Sequence, residues 1–154
     1  MNDIEKALLI EDETKSLLAV GEIVWKKTEA SDNFENLTEA EKTFIYVEML
    51  EAEINNGGFD QYFYNTSGDY YSESLQAYKT IGAHKTVKII EEAFKLFPVN
   101  PIPKDNEKRQ DILENVDEET SKKWNALEDK FYEYEENIGG LLLEFVKKNK
   151  SEFK

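Results

Sequence analysis

Cysteine is absent from this chain, which excludes disulfides and thiolate metal sites and fits a reducing cytoplasm. Histidine occurs once, at position 84. No stretch approaches the roughly 18 consecutive apolar residues that a membrane span needs. Where a secretory leader would place a basic region and then an apolar one, the sequence has Asp3 and Glu5. A signal peptide is therefore not expected, no membrane role is expected, and the cytoplasm is the expected location.

These gaps narrow the chemistry. There is no Gly-x-Ser-x-Gly elbow and no cysteine nucleophile, and His84 is the sole imidazole base, so a catalytic triad lacks material. Asn56-Gly57-Gly58-Phe59 follows no strand and has no lysine beside it, so it is not a phosphate-binding loop. Zinc at His84 would need three carboxylates or waters around it, and the residue is read as a surface or capping position. The Glu-x-x-His pattern of di-metal bundles is missing, because Ile81 stands three residues before His84. Paired carboxylates carry no weight among 33 acids, since some pair always falls at a suitable spacing. The expectation is a protein that is not an enzyme and uses no cofactor or metal.

What is present is acid. The net charge is −14, and residues 1–60 hold 15 acids against 5 bases, while residues 61–100 are neutral. Direct nucleic-acid binding is disfavoured, because affinity for a phosphate backbone comes from Lys and Arg displacing counterions. A basic partner protein, or solubility alone, accounts for such a charge. At 154 residues the chain fits one domain, 1–154, burying about 70% of its unfolded surface.

Apolar spacing predicts an all-α fold of about six to eight helices with no substantial sheet. Ile4–Lys27 reads as two helices or as one with a charged face, and residues 28–36 read as a loop. Thr38 followed by Glu41 predicts a capping box. The helix it starts, from Glu39 to about Asn55, has apolar residues around most of its circumference, with Glu41, Glu48 and Glu51 as its exposed strip. Glu53 lies off that strip and is expected to accept from N–H groups at the start of the next helix. Gly57 and Gly58 end the helix. Phe59–Tyr64 forms a turn or two presenting Phe59, Tyr62 and Phe63 to the core, and residues 65–69 form another turn. Further helices are predicted over about 70–81, 85–97, 106–114, 118–134 and 138–150, and the proline-stiffened segment 98–103 connects elements of one domain.

The segment Asn55-Asn56-Gly57-Gly58-Phe59-Asp60-Gln61-Tyr62-Phe63-Tyr64-Asn65 is the most specific feature. Structurally, its amides and glycines cap two helix ends over an aromatic core. Functionally, Asn55, Asn56, Gln61 and Asn65 could line a polar pocket walled by Tyr62 and Tyr64. With Gly68 after it, the string resembles the signature of a bacterial family named after a DNA-mimic protein. Residues 75–83 and 93–98 resemble that family's helix pair, and the resemblance covers 37–98 well and the last third loosely. It implies an all-helical acidic domain whose carboxylates stand in for phosphates on a helix-turn-helix factor. The shared residues mark the fold, and any mimicry rests on acids outside them.

The leading expectation is thus an acidic interaction protein for a basic partner such as a DNA-binding regulator. Glu41, Glu48 and Glu51 are its first candidates, extended by Glu11, Asp12, Glu13, Asp32 and Glu35. An immunity or antitoxin-like protein that neutralises a toxin or nuclease is the alternative. Ligand binding or catalysis at the Asn55–Asn65 turn is a third reading, and self-association as a homodimer stays open.

Overall fold

The structure, a computed structural model, describes residues 1–31 and 33–153. These residues form eight α-helices and two short 3₁₀ segments with no strand, so the chain is all-α. The helices are α1 (Asp3–Leu8), α2 (Glu13–Thr28), α3 (Glu39–Tyr64), α4 (Tyr71–Thr80), α5 (His84–Lys95), α6 (Asn106–Glu114), α7 (Glu118–Tyr132) and α8 (Ile138–Lys148). The 3₁₀ segments are Thr66–Tyr70 and Lys150–Glu152. The first segment resolves into two helices because Asp12 caps the second, its Oδ1 accepting the Lys15 N–H at 2.9 Å. The chain divides into two compact units, Met1–Val47 with Asn137–Lys154, and Glu48–Glu136.

In the first unit α1, α2, the opening turns of α3 and α8 bury Ile4, Val20, Val24, Phe44, Leu142 and Val146. The capping box forms as its spacing predicts. Thr38 N–H donates to Glu41 Oε1 at 3.0 Å, and Glu41 N–H donates to Thr38 Oγ1 at 3.1 Å. The Thr38 hydroxyl also donates to the Glu152 carbonyl at 3.0 Å. Phe153 packs edge-on against Phe44, with ring centroids 6.3 Å apart.

The second unit is built on aromatic side chains. Phe59, Tyr62 and Phe63 are fully buried, as expected. Phe63 meets Phe97 at 4.9 Å and Trp124 at 5.7 Å between ring centroids. Buried polar atoms in this cluster find partners, as burial demands. Trp124 Nε1 donates to the Ala93 carbonyl at 2.9 Å, and the Tyr62 hydroxyl to Ser74 Oγ at 3.1 Å. Helix α7 stops two residues short of its expected end. Tyr134 takes a left-handed conformation, φ 47°, and stays 40% exposed. His84 is exposed at the first turn of α5.

Candidate functional site

The structure corrects the expected exposed strip on α3. Glu41 is only 2% exposed. One carboxylate oxygen serves the capping box, and the other is ion-paired with Lys27 Nζ, which the last turn of α2 delivers. Sequence spacing placed Glu41 on the solvent side because its lysine partner lies on another helix. Glu48 and Glu51 are half-buried, and the exposed residues further along α3 are Ala52, Asn55, Asn56, Gly57, Asp60 and Tyr64. Glu11, Asp12, Glu13 and Glu35 are exposed. Asp12 is the cap of α2, and Glu13 Oε1 accepts from Asn137 Nδ2 at 2.9 Å. Asp32 lies outside the described residues.

Burial holds the Glu51 carboxyl above its ordinary range, while the Tyr134 hydroxyl pulls it the other way. The Tyr134 phenol is itself pushed up to about 12, chiefly by burial, against the hydrogen bond from Asn55 and with the Glu51 charge adding to the rise. A carboxyl whose pKa rises on folding stabilises the fold below its unfolded value, and that contribution is lost as pH climbs through the folded value. Glu51→Gln removes the titration. The variant is therefore expected to gain stability relative to the native chain as pH rises above the ordinary glutamate range, measured by urea unfolding at each pH. A pH-independent offset would show that burial of the charge is not the cause.

The amide–aromatic string is a break in α3, with its glycines at the hinge. Gly58 has φ 79° and ψ −171°, a combination essentially confined to glycine, and helical geometry resumes after it. Gly57 serves a different purpose. A Cβ there would lie 2.0 Å from Gln61 Oε1, so the bare backbone lets the Gln61 side chain fold back across the helix. Gln61 Nε2 and Asn65 Nδ2 both donate to Glu53 Oε2, each at 2.9 Å. Asn55 Nδ2 reaches the Tyr134 hydroxyl at 2.7 Å.

Asn55, Gln61 and Asn65 therefore bind side chains, whereas helix-end capping was expected of them. Glu53 likewise accepts from amides and not from backbone N–H groups. The backbone at the break is served from afar. Phe59 N–H, at the restart, donates to Glu128 Oε2 at 2.8 Å, and the Ile54 carbonyl accepts from the Tyr132 hydroxyl at 2.7 Å. Burial lifts the Glu128 carboxyl pKa, opposed by the Phe59 N–H. Helix α5 shows the same device. Its N-cap Ala83 has no capping side chain, and Glu136 Oε1 accepts from Thr86 N–H at 2.8 Å and from its hydroxyl at 3.0 Å. Two of the many acids are thus remote helix caps, favoured by the partial positive charge of those termini.

Arg109, fully buried, holds the far end of the string. Its Nε donates to the Phe63 carbonyl at 2.8 Å. Nη1 donates to the carbonyls of Pro103 and Lys104, at 3.0 and 2.8 Å. Nη2 reaches the Asn65 carbonyl at 3.2 Å, Asp69 Oδ1 at 2.5 Å and Asn106 Oδ1 at 3.0 Å. Its neighbour Gln110 donates to the Tyr64 carbonyl at 2.9 Å. Sequence reasoning missed this residue, although it is the one arginine among 19 basic residues. That isolation was a usable signal, because only a guanidinium presents five donors in a fixed fork.

Among the described residues no group of three or more His, Cys, Asp or Glu side chains gathers as a metal site. No described helix is long and apolar enough to cross a membrane. No curated protein and no solved structure matches the chain. Residues 35–149, which include the whole Gly58 break and the Arg109 clamp, match the family described as DMP19-like protein. With most of its length inside that match, the chain belongs to the DMP19-like protein family.

Proposed function

We propose that this protein is a non-enzymatic acidic interaction protein, a DNA mimic whose carboxylates occupy the nucleic-acid-binding face of a basic regulator of the helix-turn-helix kind. The observation that carries the reading is the exposed run Glu11-Asp12-Glu13, with Glu35, in a DMP19-like chain of net charge −14. Duplex DNA carries one charge per about 1.7 Å of axis, and a regulator shaped to that field meets a comparable one in clustered carboxylates. Glu48 and Glu51, one helical turn apart and half-buried, are a separate pair of candidates within the second unit. Glu41 drops out, since its carboxylate is committed to Thr38 and Lys27.

The test is competition. A helix-turn-helix regulator from the same cell, bound to labelled operator DNA, is expected to be released by this protein. The effect should weaken steeply as salt rises toward roughly 0.5 M. Combined Glu11→Gln, Asp12→Asn and Glu13→Gln substitutions are expected to weaken release about tenfold or more. Asparagine at position 12 still caps α2, so the fold is retained. Release that is indifferent to both salt and these substitutions would sink the proposal.

A further inference from the structure

The second unit holds a surface that the overall charge does not suggest. Between α5 and α7 runs an open groove of about 370 Å³, floored by Leu96, Ala126 and Leu127. Lys95 edges it from α5, and Lys123 and Lys130 edge it from α7. A single carboxylate, Glu92, shares the rim. Lys123 is paired with Glu119 at 3.3 Å, an exposed i,i+4 contact of the weak kind that exchanges readily. Neither Lys95 nor Lys130 makes an ion pair with a described residue. Ammonium groups thus frame an apolar strip in a chain that otherwise carries a large surplus of acid.

Spacing defines what fits there. Lys123 and Lys130 are seven residues apart, so they leave α7 on nearly the same face, about 10.5 Å apart along its axis. Ala126 and Leu127 lie between them. We propose that this groove docks an acidic amphipathic helix of a partner protein. Its apolar side chains meet Leu96, Ala126 and Leu127, and carboxylates two turns apart meet Lys123 and Lys130. Lys95 closes the opposite flank. This is helix-in-groove recognition, in which the apolar face supplies affinity and the flanking charges set register. An open groove suits the side of a helix better than an enclosed small molecule. At physiological ionic strength the Debye length is about 8 Å, so a helix lying in the groove responds to these lysines more than to remote acids. The inference stands apart from the proposed function, because no residue of the groove belongs to the acidic candidates.

Fluorescence anisotropy on the full chain, in about 0.15 M salt, tests it with a labelled two-heptad peptide carrying leucines on one face and flanking glutamates seven apart. Saturable binding is expected, weakened about tenfold or more by combined K95E, K123E and K130E. Ala126→Glu, which puts a carboxylate on the floor, is expected to do the same. All four positions are exposed on helix surfaces, and circular dichroism verifies that the variants fold. The same peptide with lysines in place of glutamates should not bind. Equal binding of the two peptides, or unchanged affinity in the triple variant, would overturn the assignment. So would binding of dodecanoate without the peptide, or groove variants that dissociate a self-associated chain in sedimentation.

Discussion

Replacing Arg109 with lysine is expected to destabilise the protein by about 3 kcal/mol or more, despite the retained charge. The guanidinium is fully buried and serves four backbone carbonyls, those of Phe63, Asn65, Pro103 and Lys104, besides Asp69 and Asn106. An ammonium has three donors and no planar fork, so several of those acceptors lose their partner. Each buried acceptor left unpaired costs about 1–3 kcal/mol. Against a total stability of about 5–15 kcal/mol, the loss shows plainly in urea unfolding. Asp69→Asn provides the contrast. The Asp69 side chain is 35% exposed, so its charge is already partly solvated and the amide oxygen can still accept. A much smaller loss is expected there. If Arg109→Lys stays within about 0.5 kcal/mol of the native chain, the clamp is not what holds the end of α3.

The contrast between Arg109 and Glu41 explains how far the sequence could be read. Elements whose signals are local emerged close to their true bounds. The Thr38–Glu41 box, the glycines after Asn56 and the apolar spacing of Trp124, Leu127 and Phe131 each depend on neighbours within a few residues. The side chains that finish the site depend on partners far along the chain. Glu128 caps Phe59 across 69 residues, and Arg109 reaches Phe63 across 46. Lys27, on another helix, turns Glu41 from a surface acid into a buried one. Helical spacing cannot register such pairings, because it reports which face a residue occupies and not what arrives there. A weaker signal did exist at Glu128, which adjoins Leu127 and precedes Phe131 by one turn and so sits at the edge of the buried stripe. The surplus of acid concealed it. With 33 carboxylates in the chain, the few that hold helix ends look like the many that face water.

Gly58 is where that concealed pairing has the second large consequence. Gly58→Ala is expected to cost about 2–4 kcal/mol, from backbone strain together with a disrupted cap. An alanine must adopt φ 79° with ψ −171°, and its Cβ would fall 2.4–2.7 Å from the Glu128 carboxylate atoms. Glu128 is flexible enough to swing away, but doing so strips the Phe59 N–H of its acceptor. The two costs are separable in a double-mutant cycle. Glu128→Ala alone should cost about 1–2 kcal/mol through the lost cap. In that background Gly58→Ala should cost less than in the native chain, because the collision is gone and the cap is already lost. The difference, about 1–2 kcal/mol, measures the coupling between the break and α7, read by urea unfolding of the four chains. Strict additivity would mean that the break in α3 is held by its own backbone and that Glu128 is a bystander. A coupled result would explain in physical terms why two glycines stand together in this string. Gly57 clears the path for Gln61 to reach Glu53, and Gly58 turns the chain so that Glu128 can cap the helix that restarts at Phe59.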